Sequence, residues 1–142
     1  MLIPRAGRWS RLIALGLGIS LFFWLSLEDT TTWPVIMYGL ALSLLIILLI
    51  TLDKLGGKMV AIRYILPLAV GIGMLVGLGT SVAVAGLMFF KNARHGHLFP
   101  DYPAEMMIAV LQRGPGWALA GGFIGLSLAL GWLALRGEAA TR

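Results

Sequence analysis

Followed as a pattern of hydrophobic and polar positions, the chain alternates long uncharged runs with short charged connections. The apolar runs are residues 12–27, 33–52, 64–90 and 117–135. A helix crosses a bilayer with about 20 predominantly apolar residues, so each run predicts a membrane-spanning helix.

The first run follows Arg5, Arg8 and Arg11 and precedes Glu28 and Asp29. It imitates a secretory signal, but Phe22, Phe23 and Trp24 stand where a small-residue cleavage site would be needed, so a retained anchor is expected. The second opens on Trp33-Pro34, with proline where a first turn tolerates the missing N–H. A tight turn over residues 28–32 would fold these two into an antiparallel hairpin. The third, of about 27 residues and roughly 40 Å, exceeds the hydrocarbon layer and predicts tilt or projection beyond it. Pro67 places any kink in it near the interface. The fourth is introduced by Gly114-Pro115-Gly116 and closed by Arg136-Gly137.

Residues 91–116 form the longest polar connection. Within it, Phe99-Pro100-Asp101-Tyr102-Pro103 reads as a rigid corner, because two prolines restrict φ and the aspartate can bond locally to the backbone. Its aromatics Phe99 and Tyr102 suit either docking to a partner or resting among headgroups. Residues 103–113 then carry Met106, Met107, Val110 and Leu111 on one helical side and Glu105, Ala109, Gln112 and Arg113 on the other. Too short to span, this segment predicts an amphipathic helix in the outer interface, ended by the Gly-Pro-Gly sequence. Its methionine side could equally cover a partner.

Composition adds the class. Hydrophobic residues at 59%, charged residues at 12% and a mean hydropathy of +0.93 predict an all-α integral membrane protein rather than a soluble domain. In 142 residues, four spans and a short interfacial helix leave no room for a soluble catalytic domain. With no cysteine, disulfides, thiolate metal sites and thiol nucleophiles are excluded.

The net charge of +5 turns from a nucleic-acid signal into a topology signal once its residues are placed. Arg5, Arg8, Arg11, Lys54, Lys58, Arg63, Arg136 and Arg142 fall on one side of the predicted spans, and Lys91, Arg94 and Arg113 on the other. That asymmetry predicts both termini in the cytoplasm, of a bacterial cell first and an organelle second. Trp9 with Trp24, and Trp117 with Trp132, bracket the first and fourth runs at headgroup depth.

In lipid, small residues let helix backbones approach each other. The third run carries Ala69, Gly73, Gly77, Ser81 and Ala85 at four-residue spacing, and the fourth carries Gly121, Gly125 and Ala129. These ridges predict tight packing, against each other or against a partner; a ligand tail in the glycine groove is the rival reading. The second run has only Gly39 and Ser43 and reads as lipid-facing.

Inside the predicted spans there is no Asp, Glu, Lys, Arg or His, so a self-contained pump or proton-coupled transporter is not expected. Chemistry would have to come from the 91–116 connection. There His95 and His97, two apart, would point the same way in an extended strand, and Asp101 could supply an oxygen to the same metal. The same imidazoles could instead bind a tetrapyrrole, grip headgroups with Arg94, or touch a partner protein. Gly56-Gly57 lacks the order of a phosphate-binding loop, so no nucleotide is expected, and no catalytic spacing of Ser, His and Asp occurs.

The leading expectation is therefore a non-catalytic integral membrane subunit, or an assembly or stabilising factor, of a larger complex. Its expected partners are the lipid bilayer and other integral subunits, with docking through Gly73, Gly77, Ser81, Gly121, Gly125, Phe99, Tyr102, Met106 and Met107. The alternatives are a cofactor- or metal-binding subunit of an electron-transfer or pigment complex using His95 or His97, and a small homo-oligomeric channel or carrier.

Overall fold

A computed structural model of the chain describes residues 7–27, 30–95 and 100–140, with the side chains of all but 95 and 137–140. It is all helical: α1 (Arg8–Ser26), α2 (Thr32–Leu55), α3 (Ile65–His95), α4 (Ala104–Gln112) and α5 (Gly114–Ala140), with a 3-10 turn at Ile62–Tyr64. The helices α1, α2, α3 and α5 are each long and apolar enough to cross a bilayer. The chain is thus an integral, multi-pass membrane protein with one short additional helix.

Local chemistry sets the helix ends. Pro34 and Pro67 fall in the first turns of α2 and α3, where an absent N–H costs no helical bond. Gly56 caps α2, and Gly57, at φ 78°, reverses the chain with the one positive φ among the described residues, a conformation that a side chain would strain.

The central element is α3. Along one side it meets α5 in strict antiparallel register: Ala69 faces Gly125, Gly73 faces Gly121 and Gly77 faces Trp117. Each step of four along α3 meets a step of four back along α5. A Cβ on Gly73 would overlap the Gly121 carbonyl oxygen and stand 2.8 Å from its carbonyl carbon, so the backbones themselves are in contact. On its other side α3 meets α2 through the stripe Val35, Gly39 and Ser43, all buried. A Cβ on Gly39 would lie 3.1 Å from the Val84 backbone nitrogen, and Ser43 Oγ donates to the Val76 carbonyl at 2.8 Å. The two small residues of α2 are therefore its packing face, and only the remainder of that helix, such as exposed Leu44, Leu48 and Ile50, turns outward. The N-terminal helix α1 is peripheral, burying only Trp24. Ser20 Oγ and Tyr38 OH lie 2.5 Å apart and hold it to α2. With neighbours antiparallel throughout, the start of α1 and the end of α5 lie at the same end of the bundle.

The short helix departs from expectation. It does not lie across the end of the bundle but runs back down α3: Tyr102 bonds Asn92, Val110 bonds Ser81, and Trp117 reaches Gly77. Together α4 and α5 form one broken segment antiparallel to α3, interrupted only at Arg113. Pro115 explains the break, because it lacks the N–H that would bond the Leu111 carbonyl and its ring crowds that carbonyl. Gly-Pro-Gly accordingly opens α5 rather than forming a separate linker. Gly114 sits where a Cβ would press to 3.2 Å from Leu78 Cδ1 and 3.3 Å from Ser81 Oγ. Ser81 Oγ donates to the Val110 carbonyl at 2.7 Å beside this break. Replacing Ser81 with alanine should cost about 1 kcal/mol, slightly above the usual hydroxyl contribution between membrane helices, because it leaves the buried Val110 carbonyl with only the longer bond from the Arg113 N–H at 3.2 Å. Detergent-induced unfolding measures the loss, and hydrogen exchange that rises around residues 109–114 alone would localise it.

Candidate functional site

At the end of the bundle where α1 gives way to α2, Asn92 pins the returning chain. Helix α3 continues past the uncharged run to His95, so Asn92 projects from a rigid helix. Its Nδ2 donates to the Tyr102 carbonyl at 2.7 Å, and its Oδ1 accepts from the Tyr102 N–H at 2.9 Å. Tyr102 is only 1% exposed, in a core with Trp24, Val35, Met88 and Val110. Its hydroxyl donates to the Thr31 carbonyl at 3.0 Å. One tyrosine thereby joins the α1–α2 connection, α3 and the start of α4.

Two cations fasten α1 to the same end. Lys91 is fully buried, with Nζ 4.5 Å from the ring centroid of Trp24, which itself rests 5.2 Å from the ring of Tyr38. The indole Nε1–H of Trp24 is buried without an acceptor, leaving the ring face as the group's polar contact. Arg94, which is exposed, lies 4.9 Å from the Phe22 centroid and donates from Nη2 to Ser26 Oγ at 3.1 Å.

This arrangement relocates several residues that the sequence singles out. Tyr102 is turned inward rather than offered to headgroups or a partner, because Asn92 fixes its backbone and Thr31 takes its hydroxyl proton. Met106 and Met107 are half-buried against the same core, so their side of α4 is used within the chain. Gly73, Gly77, Gly121 and Gly125 meet one another or neighbouring backbone across α3 and α5, and Ser81 is spent on Val110. Asp101 is half-buried in the bend before Tyr102. His97, Phe99 and the side chain of His95 lie outside the described residues. Among the described residues, no group of three or more His, Cys, Asp or Glu side chains is placed to hold a metal ion.

An open apolar groove runs along the side of the bundle. Helices α2 and α5 stand forward of α3 and enclose a groove of about 680 Å³, floored by Gly73, Gly77 and Gly121 and walled by Leu40, Leu44 and Ile124. Thr80 also lines it, but its hydroxyl already donates to the Val76 carbonyl at 2.7 Å. The groove therefore offers shape and apolar surface, and no free hydrogen-bonding group from this threonine.

Sequence reasoning missed Asn92, Trp24 and Lys91 as structural partners, and it named a glycine groove without the α2 and α5 walls that shape it. Only the long uncharged approach to Lys91 hinted that a helix continues through it. Compared with family models, with curated proteins and with solved structures, the chain matches none.

Proposed function

We propose that this chain is a non-catalytic integral membrane subunit, or an assembly or stabilising factor, of a larger membrane complex. The open apolar groove between α2 and α5 carries the reading. Its apolar floor and walls present a surface along which another helix can pack, and in lipid such van der Waals packing drives association. The distribution of Lys and Arg supports an orientation with both termini in the cytoplasm, and a bacterial inner membrane fits that orientation. The short connections support a non-catalytic role, since they offer little means of excluding water and positioning a substrate.

Purification of the tagged native protein in mild detergent tests this, with mass spectrometry, absorption and metal analysis on one fraction. Stoichiometric integral membrane chains and no bound cofactor are the expected result. A chain that purifies alone, colourless and metal-free, would remove the subunit reading, and a lone chain with bound pigment or metal would replace it with the His95 or His97 alternative.

A further inference from the structure

Arg113 occupies the break between α4 and α5, and its height can be read from its neighbours. Val110 is bonded to Ser81 and Gly114 abuts Leu78 and Ser81, so Arg113 stands level with the middle of α3. The Asn92–Tyr102 pair marks the nearer end of the bundle, eleven residues of α3 away, or about 16 Å. That end is itself apolar on its outside: Phe23, Trp33, Phe89 and Phe90 are between 61% and 69% exposed there. Such a surface belongs in lipid. The bilayer boundary thus lies at or beyond the Asn92–Tyr102 level, and Arg113 sits about half a hydrocarbon thickness below it.

At this depth Arg113 is exposed, beside exposed Gln112, and its guanidinium makes no hydrogen bond, ion pair or ring contact among the described residues. An arginine in mid-bilayer requires a partner, and snorkelling recovers only part of that distance. Arg113 stands one turn above Trp117, on the side of α5 from which Trp117, Ala120 and Ile124 line the groove. Arg113 does not line the groove itself but stands one turn past its Trp117 end, so a helix laid along the groove passes beside the cation.

Resting on the subunit reading above, we infer that the groove receives a transmembrane helix of another chain that carries a carboxylate, Asp or Glu, opposite Arg113. Charge complementarity selects the carboxylate and depth selects the helix. A lipid phosphate stays at headgroup level, half a membrane away. A second copy supplies no match, because all six acidic residues of this chain lie at positions 28, 29, 53, 101, 105 and 138, in connections or terminal helical turns.

The probe is a synthetic apolar transmembrane peptide of about 20 residues with a single central Asp, mixed with the full-length chain in phosphatidylcholine nanodiscs and followed by fluorescence energy transfer. The Asp peptide should associate at least tenfold more strongly than its all-apolar counterpart. Arg113→Gln should reduce that preference to twofold or less, and Arg113→Lys should keep most of it, which separates charge from any change in fold. Equal association of the two peptides, or an unchanged preference in Arg113→Gln, overturns the inference. The chain has no cysteine, so single-cysteine variants give an independent reading. Arg113→Cys should react with a membrane-impermeant maleimide at least tenfold more slowly than Glu105→Cys, and an equal rate would mean that water, not a partner, satisfies this position. In native membranes, an Arg113→Gln chain that keeps every co-purifying subunit of the wild type sinks this inference and leaves the subunit reading standing. A wild-type chain that purifies alone removes both.

Discussion

Replacing Gly121 with leucine should separate α3 from α5 and give the largest loss of stability of any single substitution between membrane helices here. A Cβ at Gly121 would overlap the Gly73 carbonyl oxygen and stand 2.9 Å from its carbonyl carbon and 3.3 Å from the Gly77 nitrogen. All three are backbone atoms, so no rotamer change makes room; one helix must move as a body. Moving it also opens the Ala69–Gly125 and Gly77–Trp117 contacts, because all lie on one straight register. The expected cost is about 3 kcal/mol or more, at or beyond the upper end of ordinary overpacking. Gly131 is the control, since a Cβ there meets nothing within 4 Å, and its leucine variant should fall within about 0.5 kcal/mol of wild type. Unfolding in mixed micelles against increasing harsh detergent measures both. Equal midpoints for Gly121→Leu and wild type would mean that α3 and α5 do not meet backbone to backbone.

Second in expected size is Asn92→Ala. It removes two hydrogen bonds at once, the one accepted by the Tyr102 carbonyl and the one donated by the Tyr102 N–H. With about 0.5 to 1.5 kcal/mol for each hydrogen bond lost, the loss should be about 1 to 3 kcal/mol. Asn92→Asp discriminates the mechanism. A carboxylate still accepts from the Tyr102 N–H but cannot donate to its carbonyl, so half of the loss should remain. Limited trypsin digestion supplies a local readout, because Arg94 lies between Asn92 and Tyr102 and should be cleaved faster once the returning chain is released. An Asn92→Ala chain that unfolds and digests like wild type would show that the pair holds nothing.

Much of the architecture is legible in the residues because its causes are local. A run without charge, bounded by Arg, Lys or acidic pairs, marks a span whatever its neighbours are, and every end of the observed spanning helices lies within five residues of the predicted one. The ridge Gly73, Gly77, Gly121 and Gly125 is likewise visible as four-residue spacing, though its partner is not: spacing tells that a backbone comes close, and only the return of α4 and α5 along α3 tells which backbone it is. Non-local bonds escape the sequence for the same reason. Nothing in Asn92 announces a bond to a backbone ten residues later, and Lys91, following a long apolar run, has the look of an interfacial cation until Trp24 arrives from another helix to cover it. Gly114-Pro115-Gly116 misleads in an instructive way, since glycine and proline break a helix interior but are well tolerated in a first turn, and here a first turn is where they stand. Of the groove only the glycine floor is visible in the residues; its extent is not, because it is a space between α2 and α5 and a property of neither.

The single buried residue of α1 has a consequence for how the chain assembles as it is made. Trp24 is covered by Lys91 and shares its core with Tyr102 and Val110, all of which are synthesised long after α1 has left the ribosome. Until then α1 has only α2 to rest on, through Tyr38 and a thin line of contacts. The helix that enters the bilayer earliest among the five thus waits for the last third of the chain before it can close, and through that interval the unburied indole of Trp24 and the side of α2 beneath it stand open to whatever chaperone or neighbouring subunit attends insertion.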